Sequence, residues 1–169
     1  MSNLDPFNIS TESDCRAVLE TVGLWTSVDQ RGGLKDGLSA DTFSQGQKQL
    51  FSLARAILRR QIRARNYEAD FGVAASEKGG GGILLLDEVS SSVDQDTDRA
   101  MQRVIKEEFE SYTVVMVSHR LEMVMDFDTV LVMDKGSVIE SGRPRTLVNR
   151  DGSWFKELWS VGKRAGDIN

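Results

Sequence analysis

The spacing of apolar positions changes period several times along this 169-residue chain, and each change marks an element. Cys15, Val18, Leu19 and Val22 recur at helical spacing, Thr11 and Asp14 stand in capping register ahead of them, and Gly23 follows. That pattern predicts a short amphipathic helix over 14–22. Residues 27–42 carry three glycines and several polar groups without periodicity, which predicts a loop. Leu50, Leu53, Ala54, Ile57, Leu58 and Gln61 share one side of a longer helix that starts near Ser44, a residue type favoured at helix N-caps. Residues 63–82 are mixed and polar and end in four glycines, Gly79 to Gly82. This composition predicts a flexible surface insertion. It is not a phosphate loop, since no Lys-Ser or Lys-Thr follows the glycines.

Ile83-Leu84-Leu85-Leu86 is an unbroken apolar run that ends in Asp87 and Glu88. Continuous apolarity predicts a strand covered on both faces, as in a parallel α/β sheet. A polar helix over 96–109 follows, and then a second apolar run, Thr113 to Val117, which ends in Ser118-His119-Arg120. Residues 129–133 and 137–140, joined at Asp134-Lys135-Gly136, have the form of a β-hairpin. Two closing helices are predicted over 144–149 and 154–161. Strands and helices that alternate, with polar residues at the strand ends, give the plan of an α/β nucleotide-binding core.

Charge and cysteine content narrow the function. A net charge of −5 excludes the broad basic face that nucleic-acid binding needs. The one dense basic run, Arg55 to Arg65, suits the C-terminal end of a helix, where cations oppose the macrodipole. The single cysteine rules out an intrachain disulfide, which points to an intracellular compartment, and its place on the helical stripe makes it a core residue. No run approaches the ~18 apolar residues of a membrane span, and residues 1–6 lack the form of a signal peptide. Membrane association is therefore expected only through a partner or a part absent from this chain.

Three constellations carry chemistry. Asp87 and Glu88 stand at the C-terminal edge of an apolar strand, where the first acid can hold magnesium and the second can orient an attacking water. By themselves two acids at a strand end also fit plain solvation. His119, the chain's only histidine, ends the next strand, and adjacent parallel strands would place it near Glu88. Ser44 and Gly46 open a helix, whose N-terminal amides and dipole favour an anion.

Taken together these segments resemble the nucleotide-binding domains of ATP-binding-cassette (ABC) proteins. Phe43-Ser44-Gln45-Gly46-Gln47 resembles the LSGGQ signature, and residues 48–56 its helix. Ile83 to Glu88 is similar to Walker B with its catalytic glutamate, Ser91 to Asp94 to the D-loop, and His119 to the switch histidine. Residues 132–142 resemble the hairpin that follows. The motifs occur in family order over nearly the whole chain. Asn3-Leu4-Asp5-Pro6-Phe7 and the helix Gln49 to Ala56 resemble the second cassette of C-subfamily, multidrug-resistance-associated exporters, and the insertion before Walker B resembles fungal members.

The resemblance implies an α/β fold, the C-terminal part of a P-loop NTPase-like ABC ATPase domain. It implies a helical subdomain and signature helix over 1–62, an insertion over 63–82, and half of a parallel-sheet core over 83–169. It further implies ATP and Mg2+ as cofactors and a head-to-tail pairing with a second nucleotide-binding domain. Ser44, Gln45, Gly46 and Gln47 would then contact ATP held by the partner. Asp87 (as magnesium ligand, directly or through water), Glu88 and His119 would serve ATP on their own cassette. Ser91 and Asp94 of the D-loop would link the sites. The transmembrane domains would be the other partner, and the chain would lie on the cytoplasmic face of a membrane.

Two departures from the family pattern stand out. Gln45 replaces the first glycine of LSGGQ, and no G-x-x-x-x-G-K-[ST] occurs anywhere in the chain. In the family, Walker A and the Q-loop precede every motif found here, so the chain alone is expected to be inactive. Two alternative functions fit the same motifs. One is a non-enzymatic half-cassette that modulates an intact ABC protein. The other is a DNA-repair-type ABC ATPase, which the acidic charge and the absence of coiled-coil heptads disfavour.

Overall fold

A computed structural model describes residues 3–34, 43–72, 81–89 and 93–166. The chain divides into two compact units, Met1–Val115 and Met116–Asn169.

The first unit is built on three helices. Helix α1 (Glu12–Thr21) opens with the expected capping box. The Asp14 N–H donates to Thr11 Oγ1 at 3.1 Å, and the Thr11 N–H donates to the Asp14 carboxylate at 3.0 Å. The Thr11 amide holds the Asp14 carboxyl below its ordinary range, and the Arg65 guanidinium at 3.0 Å adds to this. Cys15, Val18 and Leu19 are buried. Burial also pushes the Cys15 thiol up, as befits a core residue. Ahead of α1, buried Asp5 accepts the Ser10 N–H at 2.6 Å, and this ties the preceding turn together.

Where a loop was expected, residues 25–29 form a short helix, α2 (Trp25–Asp29), with Val28 buried. One helical turn is too short to show periodicity, and its Trp25 is held by the Arg16 guanidinium 4.8 Å from the ring centroid. Residues 35–42 of that expected loop lie outside the described residues.

Helix α3 (Gln45–Phe71) starts at Ser44 as predicted, but it runs on through 63–71, where an insertion was expected. The polar composition of that stretch hides good helix formers, and long-range partners complete it. Arg65 reaches Asp14 on α1. Arg60, one turn earlier, donates to both the side chain and the backbone carbonyl of Glu108 at the end of helix α4 (Gln95–Glu108). A cation at that terminus also meets the negative end of the α4 dipole. Gly72, at φ +68°, then ends α3 in a left-handed conformation that suits glycine. Residues 73–80 lie outside the described residues.

Strand β1 (Ile83–Asp87) is hydrogen-bonded to β2 (Thr113–Val117). The Thr113 N–H donates to the Gly82 carbonyl at 2.8 Å, so the two strands start side by side and run parallel through the α4 crossover. Leu84 and Leu86 are buried, with Leu50, Leu53, Ile57 and Leu58 of α3 and Met101, Val104 and Ile105 of α4. Each such side chain contributes about 1.5–3 kcal/mol by leaving water. The other face of β1 departs from expectation. Ile83 and Leu85 are 68% and 73% exposed, so the strand has the composition of a doubly covered strand while only one of its faces is covered here.

In the second unit, β3 (Val130–Asp134) and β4 (Ser137–Gly142) pair antiparallel, with Asp134 opposite Ser137. Lys135 and Gly136, at φ +47° and +78°, form the tight turn between them. Val124, Val132, Leu147 and Phe155 make the core of this unit, closed by α5 (Pro144–Leu147) and α6 (Trp154–Gly166). Glu140 is buried at its centre. Its carboxylate accepts the Phe155 N–H at 2.8 Å, the Ser153 hydroxyl at 3.0 Å and the Arg150 guanidinium. The hairpin thereby caps α6. Among the described residues no helix is long and apolar enough to cross a membrane.

Glu140 makes the second unit pH-sensitive in a defined direction. The Phe155 amide, with Ser153 and Arg150, holds its carboxyl below the ordinary range. The stability it contributes is thus present above the unfolded-state pKa and is lost as pH falls through the lower folded value. Urea denaturation of the chain and of Glu140→Gln should show a gap in midpoint at neutral pH. The gap should narrow in acid, and one that stays constant or widens there would contradict the assigned role.

Candidate functional site

The alternation of β1 decides how its acids are presented. Leu84 and Leu86 face the core, so Asp87 continues the exposed face and offers its carboxylate oxygens outward. Glu88, half-buried, follows immediately at φ +52°. A residue with a side chain is uncommon in that left-handed region, which costs about 1–2 kcal/mol. Strain of this kind persists only where the surroundings impose it, and it concentrates at functional positions. Ser91, the D-loop serine of the resemblance, lies outside the described residues.

At the start of α3, Ser44 Oγ accepts the Gln47 N–H at 3.2 Å, and Gln47 Oε1 accepts the Ser44 N–H at 3.1 Å. This reciprocal box satisfies two of the helix's orphan amides, those of Ser44 and Gln47, and leaves those of Gln45 and Gly46 without an intrahelical acceptor. Ser44 and Gln45 are exposed, whereas Gly46 is buried. The Ser44 oxygen is engaged as an acceptor, and its hydroxyl proton is the donor it can offer an anion. Phe43 anchors this terminus, buried and packed on Phe51 with ring centroids 5.6 Å apart.

Asp94 caps α4. It accepts the Asp96 N–H at 3.1 Å, the Thr97 N–H at 2.9 Å and the Thr97 hydroxyl at 2.8 Å. The Thr97 amide and then its hydroxyl hold the carboxyl below its ordinary range. The two helix starts meet at Gly46. A Cβ built there would lie 3.1 Å from Thr97 Cγ2 and 3.3 Å from Val93 Cγ1.

His119 belongs to the second unit and is exposed. Ser118 Oγ accepts the Arg120 N–H at 3.0 Å, a tight turn that holds His119 at its tip. The structure therefore brings Ser44 to Gln47 together with Val93, Asp94 and Thr97 in one unit. Asp87 and Glu88 stand in that same unit, at the end of β1, and His119 in the other. Reading the sequence missed Thr97 and the capping role of Asp94. The spacing Asp94-x-x-Thr97 is an N-cap signature and would have moved the start of α4 to Gln95. Among the described residues no three His, Cys, Asp or Glu side chains cluster as a metal site. A divalent ion at Asp87 would take its other oxygens from water and a phosphate ligand, which is how magnesium is commonly held.

No family model matches the chain. Its homologues are fungal ABC transporters. It is 58% identical over 160 residues to the ABC-type transporter braE of Annulohypoxylon truncatum, covering 95% of this chain and 10% of that protein. It is 51% identical over 163 residues to the ABC transporter FGM5 of Gibberella zeae, again 96% of this chain and 10% of the relative. The ABC multidrug transporter B of Aspergillus fumigatus is 41% identical over 158 residues, 94% of this chain and 10% of that protein. The chain thus spans about a tenth of the length of the curated relatives it matches. In fold it matches a bacterial Atm1-family ABC exporter with ATP bound, at a TM-score of 0.73 and 22% identity, over 95% of this chain and 25% of the exporter.

The conformation of Glu88 can be tested apart from any activity. Glu88→Ala and Glu88→Gly both delete the side chain, and only glycine tolerates a positive φ. Glu88→Gly should exceed Glu88→Ala in stability by about 1 kcal/mol in denaturant titrations. Equal stability, or an advantage for alanine, would mean the position is not held in a left-handed conformation.

Proposed function

We propose that this chain is the signature-and-Walker-B segment of an ABC ATPase cassette, and specifically of the second cassette of a C-subfamily exporter. ATP hydrolysis by the assembled transporter would drive export. The observation that carries the reading is the end of β1, where an exposed aspartate and a glutamate in a strained backbone conformation follow an apolar strand buried on one face. The fungal homologues support the transporter assignment, and the motif order supports the cassette.

Magnesium-ATP would supply the reactive phosphoryl group and its charge neutralisation. The chain's own residues divide into two sets. Asp87 offers carboxylate oxygens to the ion. Glu88, fixed by its backbone, would orient and polarise the attacking water, and His119 matches the switch histidine of the resemblance. Ser44, Gln45, Gly46 and Gln47 serve a different nucleotide, held by the partner cassette. The Gln45 and Gly46 amides and the Ser44 hydroxyl donate toward its terminal phosphate with the favour of the α3 dipole. Asp94, the D-loop aspartate of the resemblance, would link the two sites. Walker A, which cradles the phosphates with backbone amides and a lysine, is supplied from outside these 169 residues. The isolated chain therefore gives no ATP turnover.

The reading can be tested by grafting this chain in place of the matching segment of the A. truncatum transporter. Glu88→Gln should leave ATP binding intact and slow hydrolysis at that site by about 10²–10⁴-fold. Gly46→Asp, whose side chain would press on Thr97 and Val93 and displace the N-terminus of α3, should also block hydrolysis while each Walker A still binds ATP. Undiminished hydrolysis in both variants would overturn the assignment.

A further inference from the structure

We propose that Thr97 is a positioning residue that keys the signature glycine to the D-loop within one chain. The inference rests on the functional reading above and deepens it. A threonine side chain divides between two rotamers in a helix because its hydroxyl can find alternative acceptors. Here the choice is made by Asp94, whose carboxylate accepts the Thr97 hydroxyl at 2.8 Å while also taking the Thr97 N–H at 2.9 Å. With Oγ1 fixed on Asp94, the methyl has one place left to go, and that place is against Gly46. A Cβ there would meet Thr97 Cγ2 at 3.1 Å, tighter than an ordinary van der Waals contact, so that one of the two groups would have to give way. Val93 Cγ1 lies 3.3 Å from the same point.

A line of groups therefore runs from the Asp94 carboxylate through the Thr97 hydroxyl and methyl to the space that a side chain at Gly46 would occupy. Ser44 and Gly46 are the groups assigned to a phosphate on the partner cassette, and Asp94 is assigned to the junction between the two sites. Thr97 sets how closely the two helix starts can approach. If Asp94 moves toward α3 when its own site changes state, the N-terminus of α3 is pushed with it. Gly46 is then required for two reasons: its amide must approach a phosphate, and its missing side chain must admit the Thr97 methyl.

The proposal predicts a specific rescue in the grafted transporter. Gly46→Ala should lower hydrolysis about tenfold, since a displacement of a few tenths of an ångström at a reacting phosphate is costly. ATP bound per transporter should stay unchanged, so that the loss falls on kcat and not on the amount of folded protein. Thr97→Ser keeps the hydroxyl on Asp94 and removes the methyl. It should be mild alone and should bring Gly46→Ala back to within about threefold of the unsubstituted graft. Thr97→Val keeps methyl bulk and loses the hydroxyl, and it should give no rescue. Restoration by Thr97→Ser alone supports the keyed contact. Gly46→Ala that stays equally defective with Thr97→Ser, while Glu88→Gln still abolishes hydrolysis, overturns the keying and leaves the functional reading standing. A graft whose hydrolysis is indifferent to Glu88→Gln overturns both.

Discussion

The missing side chain at Gly46 sets the geometry on which the rest of the candidate site depends. It lets the N-terminus of α3 approach the N-terminus of α4 to within contact of Val93 and Thr97. Two helix starts, each with orphan amides and the positive end of a dipole, stand side by side in consequence. Each is capped from its own sequence, α3 by Ser44 and Gln47, α4 by Asp94 and Thr97. At the far end Arg60 clamps α3 to the C-terminus of α4 through the Glu108 side chain and carbonyl. The helix pair is thus pinned at both ends, with the buried leucines of α3 and the apolar stripe of α4 between.

Beside that pair, β1 presents two acids by two different devices. Strand alternation turns Asp87 outward, because Leu84 and Leu86 take the core side. Glu88 is aimed by its left-handed backbone, which breaks the alternation at the residue assigned to water. Composition has no part in either effect. Both follow from where the strand ends and what lies behind it.

Features with a short sequence range were legible before the structure. The Thr11–Asp14 capping box, the start of α3 at Ser44 and the hairpin turn at Lys135-Gly136 all follow local rules, and the structure has them. Features that rest on distant partners were not. The extension of α3 to Phe71 is held by Arg60 and Arg65, whose acids lie 48 and 51 residues away. Glu140 reads as an ordinary polar position on a hairpin, and its role as the buried cap of α6 depends on residues 10 to 15 positions later. The exposed face of β1 was misread for a related reason: an unbroken apolar run states what a strand can bury, and what covers it comes from elsewhere. For the site, the motif residues were found by their resemblance to ABC cassettes. Thr97 could be read as the partner of an Asp94 cap, but its closeness to Gly46 became visible only in the structure.

The central claim is that Glu88 and Gly46 act at opposite halves of composite nucleotide sites. ATP retention by the grafted transporter after rapid gel filtration tests it most directly. Glu88→Gln should retain ATP through the column, since a site that closes and cannot hydrolyse traps its nucleotide. Addition of Gly46→Asp to the same protein should abolish the retention by preventing closure, while equilibrium ATP binding persists. Equal retention by the single and double variants would contradict the account.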